Sequence, residues 1–187
     1  MTDDAAIVAL YWARSEKAIS ETAEKYGRYC RTIAYNILSD AEDAEESVND
    51  AYLAAWNRIP PQRPSLLSAY LGKITRRISI DKWRKRGAAK RGGGAIEAAL
   101  EELSECIPSG NDPARTVETM MLTEILDRFL ASLPREARTV FLQRYWYMMP
   151  VKEIAAGLNA SESKVKMLLM RSRGKLRETL EKEGVEA

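Results

Sequence analysis

The residues best suited to chemistry gather near the C-terminal end, in "SESKVKMLLMRSRGKL", Ser161 to Leu176. Laid on a helix, Val165, Leu168, Leu169, Ser172 and Leu176 fall at the i, i+3, i+4, i+7, i+11 spacing of a buried face. The opposite face is centred on Ser163, Met167, Met170 and Gly174, with Lys166, Arg171 and Arg173 around it. Cations on an outward helix face suit a polyanion. Methionine cannot make the bidentate hydrogen bonds that arginine makes to guanine, but it can pack against thymine methyls. A protein partner for Met167 and Met170 fits the same pattern.

Catalysis is poorly served. The chain has no histidine, which removes the usual general base, the Ser–His and Cys–His nucleophile pairs and most zinc sites. Cys30 and Cys106 form no CxxC pattern and read as a core thiol and a linker thiol. No motif points to a metal or a cofactor, and no ATP-binding loop is present. The expectation is a chain that is not an enzyme.

The elements that must position the cationic face follow from "VKEIAAGLNASESKVKMLLM". Ala155 is small where two helices would cross. Asn159 stands at a sharp turn, and asparagine tolerates the left-handed conformation such a turn requires. Ile154, Leu158, Val165 and Leu168 supply a small core, and Ser161 can cap the second helix. Small, turn and apolar positions together predict a helix-turn-helix whose second helix enters a major groove. An ordinary helical hairpin is the alternative.

The remainder reads as helix, with no cluster of period-two residues. Asp3 or Asp4 can cap a helix through about Arg14. Ser15 can cap a second to Leu38, and Ser39 or Asp40 a third to about Arg58, with Val48, Tyr52, Ala55/Trp56 and Ile59 on one stripe. "PPQRP" breaks the chain. A fourth helix runs from about Ser65 to Arg86, with Leu67, Leu71, Ile74 and Ile78 inward. "RGGGAIEAALEELSECIPSGNDPAR" reads as a linker in which Ile96, Leu100, Leu103 and Ile107 stripe a short acidic helix. Beyond Pro113, Met121, Leu122, Ile125, Leu126 and Phe129 predict another helix, and Pro134 opens the next. The predicted fold is all-α. Two small helical domains, 1–90 and 115–187, are joined by a flexible acidic linker, 91–114, and the C-terminal domain is a helix-turn-helix domain.

Charge follows the same division. The net charge is only +2, but 61–95 carry ten bases and one acid, while 1–60 carry eleven acids and six bases. The block 96–130 has eight acids and two bases, and 131–187 has seven acids and eleven bases. Two separated basic blocks suggest two contacts with a polyanion, and the acidic blocks suggest protein partners. The longest apolar run, Ala5–Ala13, is too short to span a membrane, and Asp3 and Asp4 are unlike a signal peptide. A cytoplasmic location without membrane insertion is expected.

At this point the chain resembles a family. The segment from "SLPREARTVF" to "KLRETL" looks like region four of bacterial RNA polymerase sigma factors. "DAEDAEESVNDAYLAAWNRI" with "AYLGKITRRISIDKWRKR" looks like region two. Length and order match the extracytoplasmic-function (ECF) type, which keeps only these two regions. The resemblance implies promoter recognition and strand opening with core polymerase. Its clamp would dock at Asp43, Glu46, Asn49 and Asp50. The "PQRPSLLS" loop and the helix after it would open and read the minus-ten element, with Tyr70, Lys73, Arg76, Arg77, Lys82, Arg84, Lys85 and Arg86 holding the melted strand. Tyr70 and Trp83 also read as core residues. The second domain would touch the polymerase flap and bind the minus-thirty-five duplex through Ser161, Ser163, Lys164, Lys166, Met167, Met170, Arg171, Arg173 and Lys175. An anti-sigma factor is a further partner the resemblance allows.

The resemblance also implies that the linker, with Glu97, Glu101, Glu102 and Glu105, lies in a basic RNA channel. The chain departs from the family at Gly72, Arg77, Met167 and Leu168. A stand-alone helix-turn-helix regulator would explain the second half but not the basic block of the first. A purely protein-binding helical module would recognise no promoter.

Overall fold

The structure, a computed structural model, describes residues 2–87, 94–104 and 115–183, with side chains for these except at Ser104 and 115–123. All the regular structure among them is helical: α1 (Asp4–Trp12), α2 (Lys17–Leu38), α3 (Ala41–Arg58), α4 (Leu67–Gly87), α5 (Gly94–Ser104), α6 (Arg115–Ser132), α7 (Arg135–Tyr145), α8 (Val151–Gly157) and α9 (Glu162–Lys182). The chain divides into two compact units, 1–92 and 93–187.

In the first unit α2 packs against α1, α3 and α4, and α3 also packs on α4. The start of α3 is set by Asp40, whose carboxylate accepts from the Asp43 amide at 3.0 Å. Ser39, the alternative cap, instead closes α2 in the left-handed conformation with φ 52°. Ser15 does not cap α2 with its side chain; the chain turns through hydrogen bonds from Ala18 N to Ser15 O and Ile19 N to Glu16 O. Val48, Tyr52, Ala55 and Ile59 are buried along α3, as their spacing predicts. On α4 the buried arc is wider than the Leu67, Leu71, Ile74, Ile78 stripe. Thr75, Ser79 and Ile80 are buried as well, and Ile78 is half-buried, because α4 meets both α2 and α3. Gly27 marks a close approach, since a Cβ there would lie 3.3 Å from the Tyr52 hydroxyl. Cys30 is a fully buried free thiol, and burial pushes its pKa up, so it behaves as a core hydrophobe. Cys106 lies outside the described residues.

The second unit is built on α7, α8 and α9. Phe141 packs edge-on against Phe129 and Tyr145, with ring centroids 5.3 and 4.7 Å apart. Asn159 takes φ 50° in the turn between α8 and α9, and the Ser161 hydroxyl accepts from the Lys164 amide at 3.2 Å. Ile154, Ala155, Val165, Leu169, Leu176 and Leu180 are buried. Leu168, expected in that core, is half-buried, and Leu169 carries the contact.

Helix α5 departs from expectation. Its sequence reads as linker, yet it packs on α7 within the second unit and buries Ile96 and Ala99. Its anchor is Glu102. The carboxylate accepts from Arg144 Nη2 at 3.0 Å, from the Tyr145 hydroxyl at 2.8 Å and from Arg173 Nη1 at 3.3 Å. Arg144 is only 3% exposed, so without this carboxylate its charge would lose its ion pair in a dry site. Burial alone would raise the Glu102 pKa. The hydrogen bonds from Arg144 and Tyr145 and the charges of Arg144 and Arg173 outweigh it and hold the carboxyl below its ordinary value. Ile107 and Glu105, also expected in this segment, lie outside the described residues, as do the side chains of Met121 and Leu122.

A group whose pKa falls on folding stabilises the fold above its unfolded value, and that stability is lost as pH drops through the folded value. Hydrogen-exchange protection of the α5 amides, corrected for intrinsic rates, should therefore fall as pH drops below the ordinary glutamate range. Glu102→Gln should loosen α5 at neutral pH by about 2 kcal/mol, the scale of a hydrogen bond to a charged group, and flatten that pH dependence. Unchanged protection in Glu102→Gln would show that α5 is held by its apolar contacts alone.

Candidate nucleic-acid interface

The cations expected at the minus-ten element fall into two groups. Lys73, Arg84 and Lys85 are exposed on α4 and carry no ion pair among the described residues. Arg77 is also exposed and lies 4.0 Å from Asp81, a loose i,i+4 pair. The other group is paired with carboxylates of α3. Lys82 Nζ lies 3.0 Å from Asp43 Oδ1 and 2.5 Å from Glu46 Oε2, and Arg86 pairs with Asp43 Oδ2. Asp43 is only 7% exposed at the start of α3, where the helix dipole favours a negative charge. This corrects two expectations. Asp43 is a buried tie between α3 and α4 rather than an open docking carboxylate, and half-buried Lys82 neutralises it rather than facing outward, while Arg86 pairs with it from an exposed position. Their partners lie far away in sequence, so helical spacing gives no sign of the pairing.

Arg76 is half-buried, with its Nε enclosed and without a hydrogen-bond partner among the described residues, and burial lowers its pKa. It belongs more to the wall of α4 than to its outer face. Tyr70 is half-buried, and its hydroxyl donates to Gln62 Oε1 at 2.7 Å, tying α4 to the preceding loop. Trp83 is half-buried.

Glu46, Asn49 and Asp50 remain exposed on α3. Beside them lies a groove of about 640 Å³ between α2 and α3, lined by Glu16, Ile19, Ala23, Asn49, Leu53 and Trp56 among others. Leu53 is 57% exposed. Sequence patterning misses this groove because Leu53 lies off the buried stripe of α3. An exposed leucine next to the acidic positions is the signal that could have found it.

On the second unit, Ser163, Lys166, Met167, Met170 and Arg171 share the exposed face of α9, and Met167 and Met170 are 39% and 60% exposed. Ser161 sits at its N-cap. Lys166 lies 3.9 Å from Glu162, a loose pair. Lys164 is exposed and reaches Glu136 at 2.5 Å. Lys175 donates to the Ser132 carbonyl at 3.1 Å, near the end of α6. Arg173 departs from the expected phosphate-facing position. It turns inward to Glu102 and to the Tyr145 hydroxyl, 2.8 Å away. The face therefore combines two exposed methionines with Lys166 and Arg171. Such a surface can pack on groove methyls while its cations meet phosphates.

No helix among the described residues is long and apolar enough to cross a membrane, and no cluster of metal-ligating side chains occurs among them.

Comparison with known proteins matches residues 30–182 to the ECF sigma factor family. The RNA polymerase sigma-E factor of Streptomyces avermitilis is 27% identical over 158 residues, covering 82% of this chain and 80% of that one. The ECF RNA polymerase sigma factor SigW of Bacillus subtilis is 23% identical over 168 residues, covering 88% and 90%. The probable RNA polymerase sigma factor RfaY of Xanthomonas campestris is 26% identical over 149 residues, which are 79% of this chain but only 36% of that protein. The solved structure of CnrH in complex with the cytosolic domain of CnrY is 20% identical and covers 95% of this chain and 97% of its own, with a TM-score of 0.42. The family match runs through both helical units, and the chain belongs to the ECF sigma factor family.

Proposed function

We propose that this chain binds core RNA polymerase in the cytoplasm and directs it to promoters. The first unit would dock on the polymerase clamp through Glu46, Asn49, Asp50 and the groove at Ile19, Leu53 and Trp56. Lys73, Arg77, Arg84 and Lys85 would hold the backbone of the melted minus-ten strand. The second unit would bind the minus-thirty-five duplex through the α9 face of Ser163, Lys166, Met167, Met170 and Arg171. The observation that carries this reading is the family match over 30–182, which includes both units rather than the helix-turn-helix alone. A stand-alone regulator would leave the exposed cations of α4 and the acidic face of α3 without a role.

Strand opening in this reading draws on binding energy, with stacking and phosphate contacts favouring the separated strands. Two small units are not pre-positioned on DNA by themselves, and docking on polymerase would raise the effective concentration of each for its element.

Run-off transcription with core polymerase and a promoter pool should yield selected starts that share an upstream and a downstream element. Absence of selective initiation would overturn the proposal. On a selected promoter, replacing thymine by uracil in the upstream element removes the methyl groups that Met167 and Met170 would cover. Each methyl lost should weaken binding about fourfold, from roughly 0.8 kcal/mol per buried carbon. Unchanged affinity would move these methionines from DNA to a protein partner.

A further inference from the structure

The loop joining α3 to α4, residues 59–66, is held from outside by α1 and the residues just after it. At the C-terminal end of α3, Arg14 Nη1 donates to the Trp56 carbonyl at 2.6 Å, and its guanidinium lies 5.4 Å from the centroid of the Trp56 ring. At the N-terminal end of α4, Asp4 Oδ2 accepts from the Leu67 amide at 3.3 Å. Helix ends leave carbonyls unpaired at one terminus and amides at the other. A cation is therefore placed at the first and an anion at the second, each with the sign the helix dipole favours. Between these anchors, the Arg63 guanidinium carbon lies over the ring of Trp12, the last residue of α1, 4.8 Å from its centroid. Gln62 is fixed from the other side by Tyr70.

Arg63 is exposed and carries no ion pair among the described residues. A guanidinium lying on an aromatic ring uses its face for the ring and keeps its N–H edge for hydrogen bonds. An edge of this shape matches a phosphate bidentately. Because the side chain is already held, less rotamer freedom is lost when the phosphate binds.

We propose that Arg63 is a phosphate contact for the single-stranded minus-ten DNA and that Trp12 is its positioning residue, within a brace that α1 forms across the 59–66 loop. This rests on the reading of the first unit, with its "PQRPSLLS" loop and α4, as the minus-ten unit, and it adds to that site a named phosphate contact in the loop and a positioning residue on α1. Trp12 is 40% exposed, so its replacement leaves the core of the unit in place.

The test uses holoenzyme reconstituted with the full chain and a labelled single-stranded oligonucleotide carrying the minus-ten sequence of a run-off-selected promoter. Affinity for core polymerase is measured in parallel. Arg63→Ala should weaken the oligonucleotide about tenfold, the low end for a hydrogen bond to a charged group, and Trp12→Leu about two- to fivefold, the range of an exposed cation–π contact. The double variant should be no weaker than Arg63→Ala alone. Trp12→Phe, which keeps a ring, should restore most of the affinity, and core polymerase binding should not change. Trp12→Leu without effect, or losses that add in the double variant, would overturn the inference alone. A wild-type holoenzyme with no preference for the minus-ten strand would overturn the reading beneath it.

Discussion

Three carboxylates, Asp43 buried and Asp4 and Glu102 partly buried, decide what several of the chain's cations can do. A desolvated carboxylate is tolerated only when hydrogen-bonded or paired. Asp4 takes Lys25 at 2.7 Å together with the Tyr26 hydroxyl. Asp43 takes Lys82 and Arg86. Glu102 takes Arg144, Tyr145 and Arg173. Each set ties two or more helices together, α1 to α2, α3 to α4, and α5 to α7 and α9. Cations outside these sets, such as Lys73, Arg84, Lys85 and Arg171, stay exposed. The fold thus divides the basic blocks of the sequence into a few cations held by these carboxylates and others that stay outward.

Helix ends impose the second constraint. Orphan amides and carbonyls are met locally where a side chain allows, as at Asp40 and Ser161. Elsewhere they are met from a distance. Arg138 donates to the Ala131 and Leu133 carbonyls at 2.8 and 3.1 Å, Lys175 to Ser132, and Arg14 to Trp56. These contacts tie the connections between helices to the elements on either side. The proposed role of α1 follows from this, because Asp4 at its start and Arg14 just after its end meet the two ends of the loop that separates α3 from α4.

Much of this was legible from local pattern. The limits of α3 follow from Asp40 and the prolines after Ile59, and the helix-turn-helix follows from Ala155, Asn159 and Ser161. Separation of α9 into a buried face and a face with Met167 and Met170 follows from period alone. What pattern missed is tertiary. Lys82 and Asp43 are 39 residues apart, and Glu102 and Arg173 are 71 apart; neither pairing has a periodic signature. Glu102 stands in a run of acids that reads as solvated, and only the buried Arg144 shows otherwise. Leu53 has no such signature either, since an apolar residue off the core stripe looks like noise until its neighbours across α2 are known.

The division of cations is open to a direct measurement: the salt dependence of the holoenzyme–promoter complex at saturating polymerase, with Lys73→Gln and Lys82→Gln compared. A cation that neutralises a phosphate contributes about 0.7–0.9 to the slope of log K against log[salt]. Lys73→Gln should make the slope shallower by about that amount, while Lys82→Gln should leave it unchanged. Equal losses of slope in the two variants would contradict the claim that the buried carboxylates withdraw their cations from DNA.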